Sequence, residues 1–356
     1  EEVVITGSHI KNGNENQSVP VDVFDREEFE SQGSPAIEEI IQNMPAISGT
    51  VNRSEQYTSG GLITGTKNVN IRGMGIFRTL VLLNGKRMNT VQGATNQGEY
   101  GVDIGLFPNI ALQRIELLKN GGSTAYGSSA VSGVFNYITR DKFEGFEFRV
   151  SHSDIANSDG DDEVAVIFGV GDENYNWVTA IEYQERSALA INEGNLGVDV
   201  TPSDGSWPWG YTSLGNPGAY LPVSDGGTID WSHAGAFGQN TYHTDPTCGD
   251  TVGDAASFPH PSGDGRCSYY YSDFANLIDP QKRIKIFSQV NADITDDLSI
   301  YGEVLYSRLE ATYTGAPSYP PTNPEVSPWG STPIVVHPDN PGLQDFVSYL
   351  GDGAAD

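Results

Sequence analysis

The chain of 356 residues has no apolar run long enough for a membrane helix, only two cysteines and three methionines, and few basic side chains. The missing apolar run excludes a membrane-spanning helix, although alternating strands of about ten residues could still cross a bilayer. Lys and Arg are scarcest after residue 140, where 8 basic residues face 33 acidic ones. Because such a surface repels phosphate, the charge argues against nucleic acid as a partner of this second part, and no nucleic acid is expected.

The two cysteines, Cys248 and Cys267, share one irregular segment rich in Gly, Asp and Pro. No histidine lies at metal-ligand spacing from them, so a disulfide is favoured over half a zinc site. A disulfide implies an oxidising compartment. The sequence also begins at EEVVITG without an initiator Met or a leader, which indicates a processed chain or a piece of a longer one.

The 42 glycines and 17 tyrosines favour a β protein with many turns. Within the first 140 residues, alternating Val19, Val21 and Val23 predict a strand, and residues 34–44 predict a helix that begins at a Ser-Pro pair and ends before Pro45. Strands are predicted at 69–73 and 79–88, the second interrupted by Asn84-Gly85, a strong hairpin signal. Residues 111–120 predict a helical turn or a strand.

After residue 140 the pattern becomes regular, and five long strands are predicted at 143–153, 163–170, 175–186, 284–295 and 298–312. In the fourth, Ile284, Ile286 and Val290 share one face, and Lys285 and Gln289 share the other. The connections between these strands alternate between short and long, as the turns and outer loops of outer-membrane barrels do.

Five motifs in order resemble a TonB-dependent outer-membrane receptor: EEVVITG its TonB box, IEEIIQNMPAISG its first helix, VNIRGMG its IRG motif, RTLVLLNGKRM a plug strand, and RIELLKNGGSTAYGSSAVSGVFNYITR the segment that ends the plug. Asn84 and Asn120 stand where Asp and Gly are commoner in the family. The resemblance is strong over residues 1–140 and extends to residue 312 as a strand pattern.

The resemblance implies an α+β plug domain inside a large antiparallel transmembrane β-barrel, with about 22 strands in the family. We expect a TonB-box-like coupling segment at 1–7, the plug at 8–140, and the first part of the barrel at 141–356, with outer loops at about 187–283 and 313–356. Only about five strands are present, and an open edge in lipid leaves backbone groups unpaired, so we expect the whole receptor to be longer.

The resemblance further implies active import of a scarce ligand across the outer membrane of a Gram-negative bacterium, with the plug facing the periplasm and no enzymatic activity. The coupling segment, Glu2, Val3, Val4, Ile5 and Thr6, would add as a strand to TonB, which is driven by its inner-membrane motor complex. An ordinary first strand is the alternative. The barrel would also contact membrane lipid and lipopolysaccharide.

Two groups of plug residues have expected structural roles. A charge cluster of Arg72, Arg114, Glu116 and Lys119 is expected to pair with glutamates of the barrel wall, or else to be solvated surface charge. The segment between two strands contains Gly121, Gly122, Tyr126, Gly127 and Gly133. Its small residues would permit close backbone approach, while Tyr126 would pack on the plug core.

The acidic, aromatic segment 187–283 suggests a ligand site at Trp207, Trp209, Tyr211 and Trp231, suited to an oligosaccharide or peptide. Packing within loops or at the membrane interface is equally compatible with these aromatics. A siderophore or metal-complex receptor of the same fold, a signalling receptor with an extra domain, and a soluble secreted carbohydrate-binding β protein remain alternatives. No cofactor is expected, and residues 154–163 only partly match a calcium loop.

Overall fold

The computed structural model describes residues 6, 21–31, 40–41, 43–48, 65–91, 100–172, 174–191, 219–220, 243–244, 247–249, 251–252, 255–259, 261, 267–270, 274, 276–295 and 297–314. The chain divides into two compact units, Glu1–Leu189 with Leu277–Tyr313, and Ala190–Asn276 with Thr314–Asp356. Among the described residues, no helix has the length and apolar character needed to cross a membrane.

The first unit contains a five-stranded mixed sheet, hereafter the mixed sheet. Its strands are β1 Val21–Asp25, β2 Thr79–Leu83, β3 Lys86–Arg87, β4 Leu112–Leu118 and β5 Gly133–Thr139. Their order is β1-β4-β5-β2-β3, with β2 and β5 parallel and the other neighbours antiparallel. Two short helices, α1 Arg26–Ser31 and α2 Ser123–Tyr126, and three 3-10 turns, Ile76–Arg78, Ile104–Leu106 and Asn109–Ala111, lie between the strands.

The predicted hairpin between β2 and β3 is confirmed. Asn84 and Gly85 both have positive φ, 49° and 76°, as the two central residues of a type I′ turn require. Asn tolerates this left-handed conformation and Gly adopts it without a steric penalty. The turn therefore follows directly from the two-residue motif.

The prediction of a strand at 69–73 is wrong. Ile71 forms only an isolated bridge with Ile47, and the chain then turns through Arg72 and Gly73, which have φ of 58° and 64°. Two successive left-handed residues cannot continue an extended strand. Of the helix predicted at 34–44, residues 34–39 and 42 lie outside the described part.

Each face of the mixed sheet buries apolar side chains. The main core takes Ile115 and Leu117 from β4 and Phe135 and Tyr137 from β5. The other face carries a smaller cluster, namely Leu80, Leu82, Leu118, Ala130 and Val134. Because burial of each large apolar side chain contributes about 1.5–3 kcal/mol, the main core is the larger source of stability.

The second sheet of this unit, hereafter the long-strand sheet, is an antiparallel meander. Its strands are β6 Gly145–Ser153, β7 Asp161–Gly171, β8 Tyr175–Arg186, β17 Gln281–Thr295 and β18 Leu298–Ala311, in the order β18-β17-β8-β7-β6. These agree with the five predicted strands to within three residues at each end. Strands of this length suffice to cross a bilayer, for which about 9–11 residues are needed.

The long-strand sheet has an inner face, which shares the main core, and an outer face, which is exposed. On β7 the inner positions Ala165 and Ile167 are 1% and 0% exposed, whereas Val164 and Phe168 on the outer face are 50% and 45% exposed. Across the sheet, large exposed apolar side chains follow the same alternation: Phe146, Phe148, Val150, Val170, Trp177, Ile181, Ile284, Val304 and Tyr306. The outer face is therefore apolar, while several charged side chains on the inner face are buried.

The remaining strands are short: β9 Leu189–Ala190, β10 Ala219–Tyr220, β11 His243–Thr244, β12 Thr251–Val252, β13 Ala255–Ala256, β14 Phe258–Pro259, β15 Cys267–Ser268 and β16 Asn276–Ile278. They pair in twos, β10 with β11, β12 with β13, β14 with β15, and β9 with β16. Cys248 and Cys267 form a disulfide across 19 residues of sequence, which confirms the predicted bridge.

Candidate functional site

The site with the most buried charge is the interface between the mixed-sheet domain and the inner face of the long-strand sheet. Among the described residues, four groups of polar contacts hold it, and each is named below for the long strand that it involves. Phe107 also packs edge-on against Phe287 of β17, with ring centroids 5.1 Å apart. The interface therefore combines an apolar patch with paired charges.

The β8 contact centres on Glu182, whose side chain is fully buried. One carboxylate oxygen accepts from Lys285 Nζ at 2.7 Å, and the other accepts from the backbone N–H of Asn109 at 2.6 Å. Both side chains of the ion pair are at most 1% exposed. The carboxylate thus joins two neighbouring long strands to the 3-10 turn that precedes β4.

The β17 contact joins Arg283 to a loop of the mixed-sheet domain. Its guanidinium donates to Asp103 Oδ2 at 2.7 Å and to the carbonyl of Gly65 at 2.9 Å. The other oxygen of Asp103 accepts from the backbone N–H groups of Lys67 and Gly105. Both oxygens of the Asp103 carboxylate therefore have hydrogen-bond donors, as a buried carboxylate requires.

The β6 contact places one carboxylate between two arginines. Glu147 accepts from Arg26 and from Arg140, each at 2.7 Å, and both guanidiniums also donate to the carbonyl of Ile110. Burial, together with the positive charge of Arg140, lowers the pKa of Arg26, while Glu147 and Glu30 raise it. One glutamate therefore ties the start and the end of the mixed-sheet domain to the first long strand.

The β18 contact involves the turn between β2 and β3. The amide nitrogen of Asn84 donates to Glu303 Oε2 at 2.9 Å and to Thr139 Oγ1 at 3.1 Å, and its oxygen accepts from the N–H of Thr139 at 3.0 Å. Thr139 Oγ1 in turn donates to Gln289 Oε1 at 2.9 Å. Lys86 Nζ lies 3.8 Å from Glu303.

The predicted charge cluster divides into separate contacts. Arg114 and Glu116 form a buried pair at 2.8 Å, with side chains 4% and 0% exposed, and Lys119 pairs with Asp22 of β1 at 2.8 Å. Arg72 is exposed, and its guanidinium donates to Asn120 at 3.4 Å. In each of these contacts both partners lie within the mixed-sheet domain. Three glutamates of the long strands, Glu147, Glu182 and Glu303, pair with other cations: Arg26, Arg140, Lys86 and Lys285.

Thr6 of the predicted coupling segment is fully buried against that Arg114–Glu116 pair. Its backbone N–H and its hydroxyl both donate to Glu116 Oε2, at 3.0 and 2.5 Å. The amide of Asn136 donates to the hydroxyl at 2.9 Å. The other predicted members of the segment, Glu2, Val3, Val4 and Ile5, lie outside the described residues.

The small-residue segment between β4 and β5 brings two backbones into close contact at Gly133. A Cβ there would lie 2.3 Å from the carbonyl oxygen of Leu118, so no larger residue fits. Gly122 is buried, Gly121 is exposed, and Gly127 ends α2 with φ of 80°. Tyr126 packs against the smaller cluster of the mixed sheet, and its carbonyl accepts from Arg87.

The predicted ligand-contact residues Trp207, Trp209, Tyr211 and Trp231 lie outside the described residues. In the partial calcium motif, Asp161 pairs with Arg186, Asp162 with His152, and Glu163 with Arg149. Within the described ranges, no group of three or more His, Cys, Asp or Glu side chains is placed to hold a metal ion.

The sequence did not predict five residues of this site: Arg26, Asp103, Glu147, Glu182 and Arg283. One signal was available for three of them, since charged residues at the inward positions of an amphipathic strand need buried partners. The arrangement as a whole positions one domain against another. It holds charge in matched pairs.

Comparison with known proteins identifies the mixed-sheet domain. The model of the TonB-dependent receptor plug domain matches residues 14–134. The iron-regulated outer membrane virulence protein of Vibrio cholerae is 30% identical over 175 residues, which are 48% of this chain and 25% of that protein. The vitamin B12 transporter BtuB of Photobacterium profundum is 29% identical over 137 residues, 38% of this chain and 20% of that protein.

A solved structure of a ferric enterobactin receptor mutant from Pseudomonas aeruginosa aligns with 83% of this chain and 34% of that chain, with a TM-score of 0.48 and 16% identity. The chain spans a quarter or less of the length of the two sequence relatives. Residues 14–134 therefore match the plug domain of TonB-dependent receptors, and the chain is similar to these two relatives over part of their length.

Proposed function

We propose that this chain is the plug and first wall strands of a receptor that imports a scarce ligand across the outer membrane, driven by TonB. The observation that carries the proposal is where the mixed-sheet domain packs. This domain packs on the charged inner face of strands whose outer face is apolar, an arrangement suited to a plug held inside a wall that touches lipid. The receptor binds and transports, and it performs no catalysis.

The four polar contacts suit a plug that must move. Buried ion pairs fix the register of two elements while adding little net stability, because desolvation offsets their attraction. When the plug shifts, water can take the place of each partner in a wetted lumen. An interface of the same area built only from apolar side chains would resist separation more strongly.

Energy coupling is assigned to Glu2, Val3, Val4, Ile5 and Thr6. A β-prone segment adds to the edge of a partner's sheet through backbone hydrogen bonds. The partner proposed here is TonB with its inner-membrane motor complex, and the outer face would contact lipid and lipopolysaccharide. The burial of Thr6 in the plug supports a segment that is part of the plug, and coupling would release it. We also propose that the plug ends at residue 140 and that the barrel wall begins at residue 141.

Two ligand classes are proposed. The names of the relatives, an iron-regulated protein and a vitamin B12 transporter, favour a metal complex such as a siderophore or cobalamin. The acidic and aromatic composition of residues 187–283 favours an oligosaccharide or a peptide, and it disfavours an anionic ferric siderophore. Uptake of a panel of labelled compounds of these classes by strains with and without the gene separates the two.

The soluble secreted alternative is not compatible with the outer face. Phe146, Phe148 and Val150 on β6 are 66%, 68% and 64% exposed, and they form one edge of an apolar surface that continues across the sheet. A contiguous surface of this kind on a soluble protein would lead to aggregation or require a cover. In a membrane it is the expected lipid contact.

The proposal is tested by Val4→Pro in the complete receptor. Proline removes a backbone donor and cannot add to the sheet of a partner, so we expect uptake to be lost while ligand binding at the cell surface is unchanged. Val4→Thr keeps the N–H and the β-branched shape, and it should import normally. Full uptake by the proline variant would contradict the proposal.

A further inference from the structure

A single row of ionisable side chains, hereafter the charged row, crosses the outer face of the long-strand sheet. Its members are direct cross-strand neighbours on all five strands, in the order His152, Asp162, Glu185, Lys282 and Glu310. Their side chains are 40–64% exposed. The charged row lies at the end of the sheet from which the two long connections, 154–160 and 187–280, leave the strands.

The charged row marks the level at which the apolar outer face ends. One step toward the short turns, the outward residues of the first four strands are uncharged, namely Val150, Val164, Tyr183 and Ile284. On β18 the corresponding residue is Arg308, whose side chain is 66% exposed and pairs with Glu310. Because a charged side chain is costly in hydrocarbon, the charged row lies at the level of the lipid head groups, and Arg308 reaches this level with its long side chain.

The charges at this level are of both signs, with an excess of carboxylate. Lys282 Nζ lies 2.7 Å from Glu185. Arg308 pairs in the same way with Glu310. The third carboxylate, Asp162, lies 2.9 Å from the imidazole of the row and directly opposite Glu185. Carboxylates opposite each other on neighbouring strands repel, so this surface offers donors to an anion and also favours an added cation.

We infer that the charged row, together with Arg308, binds phosphorylated lipid head groups of the outer leaflet through shared divalent cations. Lys282 and Arg308 contact phosphate oxygens directly, since an ammonium and a guanidinium have more donors than one carboxylate uses. Mg²⁺ binds through one or two carboxylates together with phosphates, so it joins Asp162 and Glu185 to the same head groups. The inference rests on the proposed function, because it takes the outer face as the lipid contact.

Two other kinds of leaflet fit these charges less well. A purely anionic leaflet without divalent cations is repelled by the three carboxylates, which outnumber Lys282 and Arg308. A leaflet of phosphatidylcholine has no net charge, and it gains little from side chains of either sign. A leaflet that carries both phosphates and divalent cations complements both signs.

The first test measures how tightly the complete receptor binds bisphosphorylated lipid A in phosphatidylcholine nanodiscs, with millimolar Mg²⁺ and with EDTA. Dephosphorylated lipid A has the same acyl chains, so the ratio of its dissociation constant to that of the bisphosphorylated lipid measures the preference for phosphate. We expect a preference of about tenfold or more with Mg²⁺, since each Lys or Arg at a phosphate surface contributes about fivefold. EDTA should remove most of this preference.

Two matched double variants test the basic side chains. Lys282→Gln with Arg308→Gln removes both positive charges, and the preference with Mg²⁺ should fall to about threefold or less. Lys282→Arg with Arg308→Lys keeps both charges and should keep the preference within about threefold of the natural one. Exposed ion pairs add little stability, so both variants should fold. Equal preferences for the two double variants would overturn the inference.

A third double variant tests the divalent cations. Glu185→Gln with Glu310→Gln leaves both basic side chains in place but removes two carboxylates. It should bind the bisphosphorylated lipid more weakly than the natural receptor with Mg²⁺, and more tightly with EDTA, because the repulsion is gone. The effect of EDTA should therefore shrink to about threefold or less. Tighter binding by this variant in both conditions would refute the sharing of divalent cations.

A second readout separates this inference from the proposed function. Nitroxides on Val164 and Phe168 report whether the outer face contacts lipid in the same nanodiscs. If they show no lipid contact, the proposed function fails and the inference fails with it. If they contact lipid but the receptor binds both forms of lipid A equally well with Mg²⁺, the inference is refuted and the proposed function stands.

Discussion

The contact between Asn84 and Glu303 explains a departure from the family motif and can be tested by restoring the commoner residue. Asn84 Nδ2 donates to Glu303 Oε2 at 2.9 Å, and the glutamate side chain is only 13% exposed. Asn84→Asp keeps the turn, since Asp also tolerates a positive φ. It replaces the donor by a carboxylate oxygen that faces another carboxylate.

The magnitude follows from the geometry. Two unit charges about 4 Å apart repel by about 4 kcal/mol at an effective dielectric constant near 20. Lys86, with Nζ 3.8 Å from Glu303, offsets part of this repulsion. The lost hydrogen bond to a charged group adds about 1.5–3 kcal/mol, and rotation of the new carboxylate relieves part of the total. We expect a loss of about 2–4 kcal/mol in the free energy of unfolding.

The assay is urea unfolding of the complete receptor in detergent at pH 8, with three variants. Asn84→Gly keeps the positive φ and adds no charge but loses the same hydrogen bond, so it should cost about 1.5 kcal/mol, less than Asn84→Asp. Adding Glu303→Gln to Asn84→Asp removes the repulsion and should restore stability to within about 1 kcal/mol of the natural protein. A fully stable Asn84→Asp variant, or one that Glu303→Gln fails to rescue, would refute the reasoning.

Three further predictions concern the plug, the outer face and the disulfide. Gly133→Ala places a Cβ 2.3 Å from Leu118 O, so the pairing of β4 and β5 must shift, and the yield of folded receptor should fall severalfold on a heat-modifiability gel. Val304→Lys puts a charge on the outer face, where it should destabilise the receptor in lipid by about 2–4 kcal/mol of unfolding free energy, measured by urea titration in vesicles. Cys248→Ser opens a 19-residue loop, and it should lower the stability of that segment by about 3 kcal/mol, measured by hydrogen exchange.

Each of these predictions has a control. Gly302→Ala adds the same methyl group at a position where a Cβ meets nothing within 4 Å, and its cost should stay within about 0.5 kcal/mol. Val304→Leu keeps the outer face apolar and should fold into vesicles normally. Reduction of the natural disulfide should reproduce Cys248→Ser. A Gly302→Ala or Val304→Leu variant that behaves like its test variant would contradict the mechanism given for that position, and so would a reduced protein that differs from Cys248→Ser.

Local patterns in the sequence predicted much of the fold because their causes are local. Asn84-Gly85 determines a type I′ turn by its own backbone preferences, and period-2 alternation located all five long strands. Gly133 stands at the point where two strands approach closely, as the small-residue segment indicated. The strand predicted at 69–73 failed because the left-handed conformation of Arg72 depends on its tertiary surroundings.

The contacts of the candidate site could not be predicted from local patterns. Arg283 meets Asp103 across 180 residues of sequence, and Glu182 meets the N–H of Asn109 across 73. A polar stripe on a strand indicates that charge will face one side, but the partner depends on how two domains are registered. For the same reason the predicted charge cluster does not pair with the long strands. Arg114 pairs with Glu116 inside the mixed-sheet domain, while Glu182 of the long strands pairs with Lys285.

The central claim is that the outer face of the long-strand sheet touches lipid and its inner face holds the plug. Nitroxides placed singly at residues 163–170 of the complete receptor in a bilayer test it, with accessibility to dissolved oxygen as the readout. We predict high accessibility at 164, 166, 168 and 170 and low accessibility at the odd positions between them, following the alternation of exposure along β7. High accessibility at the odd positions, or no alternation, would contradict the account.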